Sequence, residues 1–507
     1  MGCWDKVEAA NFPIKIGATY KWGKQPELWD FEFIANEVFQ NRPRPERYAG
    51  HRLMTAFQVD RAIYDKILLD HAKETGCDVR EETRVVKVGT EGDAVTGLTL
   101  ESGEQVVARH CIDASGHSGI IRRAMGVQAN SPTNLQNIAI YDYWRNASWA
   151  VHIGIGGTRV QVISVGYGWI WFIPLGPTRT SVGLVVPAEY FKQCGRTPTE
   201  LYEEALQLDP LIAGLMENAT SEGKLQTTKD WSFLAERQVG ANWFLTGESS
   251  GFADPILAAG LTMAHLGAKE VACTILELDR GEHDPVWLKE QYELRQAHRI
   301  NDHIRFADYW YTANAQFEDL QEFTAQIASD AGLELSPQKA WAWLAQGGFI
   351  DEDLSFGTGG FTLQFIKHSG PFLTDIDFKS PFEQYNVFKL NLEGASLKER
   401  AKFNKGTVKK SECYVRDRKV LPIGDAVNLV VQALGHESRL SEILKICQLE
   451  SQRNANNPPF LDILSRFPYA LEAMVLDGWV TATYDPSMPL IPFHDGPGNV
   501  RWQTAKA

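Results

Sequence analysis

The sequence predicts an α/β protein in three parts: a domain of mixed strands and helices, an antiparallel sheet inserted into it, and a mainly helical C-terminal domain. Three observations predict it. A strand, a glycine turn and a helix follow one another across residues 243–278. Five β-patterned segments lie between residues 138 and 187 with only short turns between them. Beyond residue 285 the pattern is helical and rich in aromatic side chains. The boundaries place the first domain at 1–131 with its return at 241–285, the inserted sheet at 132–240, and the helical domain at 286–507.

In order along the chain, residues 4–10 read as the end of an amphipathic helix and 12–22 as a strand entered at once. Residues 24–50 look polar and loop-like. A helix follows at 59–73, with apolar side chains at 63, 67, 68 and 72 on one face and Thr75-Gly76 to close it. Alternation then predicts strands near 84–88, 95–100 and 105–112, with Ser102-Gly103 as a hairpin turn between the last two. The inserted sheet is expected from strands at 138–144, 149–155, 158–167, 169–175 and 181–187. Helix returns at 198–219, a strand at 243–246 and a long helix at 258–278. The remainder carries a glycine cluster at 357–360 and proline-bearing loops near 458 and 485–497.

The chain has 507 residues, 44% hydrophobic and 22% charged, with a net charge of −14. That balance argues against a nucleic-acid binder, whose affinity rests on clustered Lys and Arg. No apolar run approaches the roughly 18–20 residues of a membrane span. The start lacks a basic segment followed by an apolar one, and Lys6 stands where a myristoylation pattern wants Ser or Thr. Seven dispersed cysteines without Cys-x-x-Cys spacing suit thiols in a reducing cytoplasm better than a disulfide framework or zinc site. His152, His265, His303 and His436 have no partners at metal-ligand spacing, so no metal is expected.

Four constellations can carry chemistry. In Gly247-Glu248 and the residues up to Gly260, an acidic side chain stands at the end of a strand and backbone N–H groups open a helix. The acid can bond a ribityl hydroxyl and the amides an anion; a plain strand–turn–helix fits the same pattern. Asp113-Ala-Ser-Gly116 ends another strand, as a nucleotide contact or as an ordinary surface turn. Arg61 at a helix start faces either a pyrophosphate or solvent. In Gly168-Trp-Ile-Trp-Phe-Ile-Pro174, alternation puts Trp169, Trp171 and Ile173 on one face with Pro174 at the end, an arrangement that a core would also use.

Together these segments resemble the flavin-dependent halogenases, within the FAD-dependent monooxygenase-like proteins. Trp169-Ile-Trp-Phe-Ile-Pro174 matches that family's signature. The strand Phe12-Pro-Ile-Lys-Ile-Gly-Ala-Thr-Tyr-Lys-Trp22 resembles the one that carries its catalytic lysine, and the lysine that matches is Lys15. The resemblance implies an FAD-binding, Rossmann-like fold of the glutathione reductase type. It implies flavin contacts at Arg61, Val85, Asp113, Gly116, Gly247, Glu248, Asp254 and Leu261, and halide contact at Ala259 and Gly260. It further implies that FADH2 from a separate flavin reductase, with O2, oxidises chloride or bromide to hypohalous acid. This would pass along a tunnel walled by the tryptophans to Lys15, beside a small aromatic substrate that is free or tethered to a carrier protein. Such chemistry belongs to antibiotic and other secondary-metabolite biosynthesis.

The chain departs from that pattern. It has no Gly-x-Gly-x-x-Gly segment, which the family carries near its start; the expectation is a truncated reading frame that holds FAD poorly. Glu248 replaces the usual Asp, and Ala258 and Ala259 replace small hydroxyl residues. Leu257 stands where tryptophan-specific members carry Glu, so the expected substrate is an electron-rich phenol or pyrrole. Two rival expectations are a monooxygenase or reductase on the same scaffold, and an inactive relative that only binds a partner.

Overall fold

The structure, a computed structural model, describes residues 1–44, 55–330, 369–370, 372–373, 380–404, 406–417, 419–491 and 500–503. A mixed ten-stranded sheet lies at its centre. Gly157–Val165, Gly168–Pro174, Arg179–Pro187 and Gln136–Arg145 run antiparallel, each beside the next. At the free edge of Gly157–Val165, the N-terminal strand Ile14–Lys21 pairs in parallel, with Trp29–Glu32 antiparallel beyond it. The strand expected at 12–22 therefore belongs to the same sheet as the inserted strands.

Both faces of this sheet are covered, which is why its strands are apolar on both sides. Val160, Val162, Trp169 and Val185 face the long helix Pro285–Thr312 through Ile300, Ile304, Ala307 and Tyr311. Ile163, Ile170, Phe172 and Leu184 face helices Pro198–Leu208 and Pro210–Met216. The helical pattern at 198–219 is two helices rather than one. Thr197 and Glu200 form a capping box for the first, and Asp209 caps the second by accepting from the amides of Leu211 and Ile212, just before Pro210.

A second body sits beside the sheet. Its centre is a parallel pair, Cys111–Asp113 with Trp243–Leu245, flanked by the three-stranded sheet of Val85–Glu91, Ala94–Leu100 and Gln105–Val106. Helices Arg61–Glu74 and Gly260–Arg280 complete it. Among the described residues, no helix is long and apolar enough to cross a membrane.

The structure corrects several local expectations. Residues 24–44 are not merely loop: Trp29–Glu32 is a fully buried strand and Asn36–Gln40 a short helix anchored by Phe39. The aromatic side chains decide this, because Trp29 stacks on Tyr20 of the neighbouring strand at 4.7 Å. No strand forms at 149–155, where a single bridge joins Ile153 to Gly157. The C-terminal region is helical, as expected, but adds two small sheets. One is Ser396–Asn404, Thr407–Arg416 and Lys419–Pro422; the other pairs Val387–Leu390 with Val480–Thr483. Pro458 opens a helix instead of a loop, with Asn457 as its cap. The glycines at 357–360 lie outside the described residues.

Candidate active site

Lys15 owes its position to a break in its own strand. Ala18, Tyr20 and Trp22 point into the core that also holds Trp169. A regular strand, with its period of two, would turn Lys15 to the opposite face. The pairing with Gly157–Val165 slips between Lys15 and Gly17, a β-bulge that re-aims the side chain. The ammonium consequently lies over the Phe33 ring, 5.7 Å from its centre, and Phe33 packs against the same core as Trp171 and Ile173. Gly17 is required here: a Cβ would stand 2.0 Å from the carbonyl oxygen of Phe31.

Lys15 is mostly buried and, among the described residues, its ammonium makes no hydrogen bond or ion pair. Burial without a compensating carboxylate lowers its pKa from 10.5 to about 8. Lys21, on the other face of the strand, is instead paired with Asp209 at 3.0 Å. Of the two lysines, Lys15 is the one left available for chemistry.

The tryptophan strand Gly168–Pro174 stands two strands away in the same sheet. Trp169 is buried; its Nε1 donates to the Tyr311 hydroxyl at 2.7 Å, and its ring meets Trp22 edge-on. Trp171 is partly exposed and donates to Ser181 Oγ at 3.0 Å. Its indole occupies the space above Gly183 on the next strand, where a Cβ would lie 2.2 Å from the ring. Ile173 packs on the same face, and Pro174 ends the strand buried.

Facing Trp169 is the turn that opens helix Gly260–Arg280. Asp254 caps a short 3-10 turn, accepting from the amide of Ile256 at 2.8 Å, and also accepts from Asn137 Nδ2 at 3.0 Å. Ala258 then takes the left-handed conformation at φ +49°, and Ala259 is buried against the tryptophan core. A Cβ on Gly260 would meet nothing within 4 Å, so there is open space at the helix N-terminus. Leu261 is partly exposed in the first turn.

The remaining expected contacts gather around Glu248. Gly247 turns the chain at φ +59°. The Glu248 carboxylate lies 3.4 Å from His117 Nε2, beside Gly116; the Arg61 pKa is raised first by its bond to Asp65 and only secondarily by the charge of Glu248. Arg61 forks onto Asp65 one turn along its helix, with both bonds at 2.8 Å. Val85 lines a cleft of about 560 Å3 with Lys87, His117, Ser118 and Arg123. Asp113 is different. Its buried carboxylate accepts from the amides of Ser115, Ile121 and Arg122 and from the Ser115 hydroxyl, so it shapes the turn from within.

Gln58 was not expected from sequence. It stands between Ala56, which pairs with Lys15, and the helix of Arg61. It is 4% exposed, yet neither amide atom has a hydrogen-bond partner among the described residues. Orphaned buried amides are uncommon and point to a missing partner. With the half-buried Glu248, the exposed Arg61 and the open helix N-terminus, this donor and acceptor set fits an FAD. Among the described residues, no three His, Cys, Asp or Glu side chains are grouped to hold a metal ion. Asn137, Tyr311 and Gly183 were also missed, since their roles depend on neighbours more than ten residues away.

A sequence model described as tryptophan halogenase matches residues 34–321. A tryptophan 2-halogenase from Chondromyces crocatus is 29% identical over 345 residues, 65% of this chain and 61% of that protein. A 1H-pyrrole-2-carbonyl-(peptidyl-carrier protein) chlorinase from Pseudomonas fluorescens is 24% identical over 62% of this chain and 73% of its own length. The crystal structure of CmlS, a flavin-dependent halogenase, superposes with a TM-score of 0.69 at 22% identity over 98% of this chain and 88% of that one, which shows the fold. The chain thus spans about three fifths of the first of these relatives. More than half of its residues fall within the matched region, and the chain belongs to the tryptophan halogenase family.

Proposed function

We propose that the protein is a flavin-dependent halogenase that places chloride or bromide on an electron-rich phenol or pyrrole ring, with Lys15 as the catalytic residue. The observation that carries this reading is the state of Lys15: mostly buried, without a carboxylate, and on the tryptophan-lined face of the sheet. Bound FADH2, supplied by a separate flavin reductase, would give two electrons to O2, which would take two more from halide to yield hypohalous acid, leaving oxidised FAD and water.

The chain's own residues would do the rest. Arg61 and Glu248 hold the cofactor, and Gln58 supplies the amide contacts it now lacks. The backbone amides of Ala259 and Gly260, at the positive end of a 21-residue helix, hold the halide. Trp169 and Trp171 keep the organic substrate away from the flavin. At Lys15 the ammonium donates to the oxygen of hypohalous acid. The ring carbon takes the halogen, the O–halogen bond breaks, and the hydroxide leaves as water with the lysine proton. The ring proton then returns to Lys15. A lowered pKa suits this exchange, because both protonation states are accessible near neutrality.

Leu257 in place of a carboxylate supports an intrinsically activated ring over free tryptophan. The pyrrole chlorinase relative, whose name places its substrate on a carrier protein, supports a carrier-tethered form of that ring. The test is product mass spectrometry with FAD, a flavin reductase, NADH and bromide over phenols, pyrroles and indoles, free and carrier-bound. Brominated product that disappears in Lys15→Ala is expected. Oxygenated product formed without halide would assign the protein to the monooxygenases instead.

A further inference from the structure

We infer that Tyr311 and Asn137 are positioning residues that fasten the tryptophan wall to the halide turn. The inference rests on the halogenase reading above. Four side chains from four distant segments meet in one buried cluster, and none of them is more than 3% exposed: Asn137, Trp169, Asp254 and Tyr311.

The hydrogens in this cluster can be assigned from chemistry alone. The Trp169 Nε1–H can only donate, and it points to the Tyr311 hydroxyl oxygen at 2.7 Å. Asn137 Nδ2 lies 3.1 Å from the same oxygen and 3.0 Å from Asp254 Oδ2. Since a carboxylate only accepts, the amide must face it with its NH2 group. The tyrosine oxygen therefore receives two donors, and its own proton goes to Asp254, whose carboxylate oxygens are both 3.3 Å away. The other side of that carboxylate accepts from the Ile256 amide and so starts the turn that ends at Ala258, Ala259 and Gly260.

A chain of bonds thus runs from the indole of the signature strand, through Tyr311, to the backbone that presents the proposed halide contacts. In this arrangement every donor of the cluster is paired, and only Asn137 Oδ1 is left without a hydrogen-bond partner among the described residues; turning the amide over would set that oxygen against the carboxylate. Packing alone would not do this: the Trp169 ring meets Trp22 and Trp171 at angles of 75° and 55°, contacts that tolerate rotation, whereas the N–H···O bond selects one orientation. The consequence is a fixed separation between the tryptophan wall and the halide turn.

The test is Tyr311→Phe, which keeps the ring and removes the hydroxyl. The halide KM is expected to rise about tenfold, corresponding to about 1.4 kcal/mol. A smaller fraction of the NADH consumed should end as halogenated product, with flavin oxidation unchanged. Trp169→Phe should do the same, and the double variant should be no worse than Tyr311→Phe, because both break one chain. A lower melting temperature or kcat with halide KM and product fraction at wild-type values would overturn the inference, since a merely structural tyrosine behaves that way. If the wild-type protein halogenates nothing, the functional reading fails, and amide hydrogen exchange then judges the fastening by itself. Faster exchange confined to residues 254–260 in Tyr311→Phe would uphold it, and unchanged exchange would sink it.

Discussion

The ammonium of Lys15 lies 5.7 Å from the centre of the Phe33 ring, on the same side of the sheet as Trp171. The intervening bulge makes that possible, and burial lowers the lysine's pKa to about 8. An aromatic face offers a cation some attraction but far less than a carboxylate would. The site therefore holds a charge that the fold does not fully compensate.

A lysine whose pKa falls on folding is one that the fold prefers uncharged. Below pH 8 the folded protein bears the full penalty; between 8 and the ordinary value of 10.5 the penalty fades with rising pH. Lys15→Met is accordingly expected to raise stability by about 2 kcal/mol at pH 7, from ~1.4 kcal/mol per pKa unit with allowance for partial exposure. The gain should vanish above pH 10.5. Urea unfolding at pH 7 and pH 10.5 measures both, and a loss of stability at pH 7 would contradict the assignment.

If the ammonium is the donor, kcat for halogenation falls as pH rises through about 8. Lys15→Arg, which stays charged at any accessible pH, should lose that alkaline limb while keeping only part of the rate. A pH–rate profile of both forms checks this. An alkaline limb that persists in the arginine variant would place the titrating group elsewhere.

Gly17→Ala adds a Cβ 2.0 Å from the Phe31 carbonyl oxygen, which belongs to a paired strand and cannot step aside. The expected loss is about 2–3 kcal/mol. Halogenation should fall with it, since the bulge that aims Lys15 is disturbed. Denaturant unfolding compared with Gly76→Ala, where a Cβ meets nothing but φ is +101°, separates crowding from backbone strain.

Ala258 holds a left-handed conformation that a Cβ disfavours by roughly 1–2 kcal/mol. Ala258→Gly is expected to stabilise the protein by up to ~1 kcal/mol, the reverse of the usual effect of that substitution in a helix. Thermal unfolding shows the sign directly.

Gly183→Ala places a methyl group 2.2 Å from the Trp171 indole. Because Trp171 is only partly buried, the ring can move outward, so the stability loss should stay near 1 kcal/mol. The bond to Ser181 breaks, and the substrate side of the wall changes shape. A shift in product distribution at nearly constant melting temperature is the expected result.

Much of this was legible locally. Alternation in 169–173 placed both tryptophans on one face, and the strand–turn–helix from Trp243 to Arg280 was readable because strand and helix periods follow from the chain itself. Trp29–Glu32 was not, since its polar neighbours mask two aromatic residues that become a strand only against Tyr20. The charged strands of 396–416 likewise gain their pattern from Ala401, Phe403 and Val408 packing under helix residues Cys273 and Leu288.

By itself, the sequence determined the fold class and the tryptophan strand, and it singled out Lys15 only by its match to a family motif, because each is written in neighbouring residues. Only the tertiary structure decided which of two strand lysines is available, that a bulge turns Lys15 toward the tryptophans, and that Asn137, Trp169, Asp254 and Tyr311 meet. The physical reason is the same in each case. A strand's register and the pairing of buried polar groups depend on partners brought together from distant segments, and no local period records which partners those are.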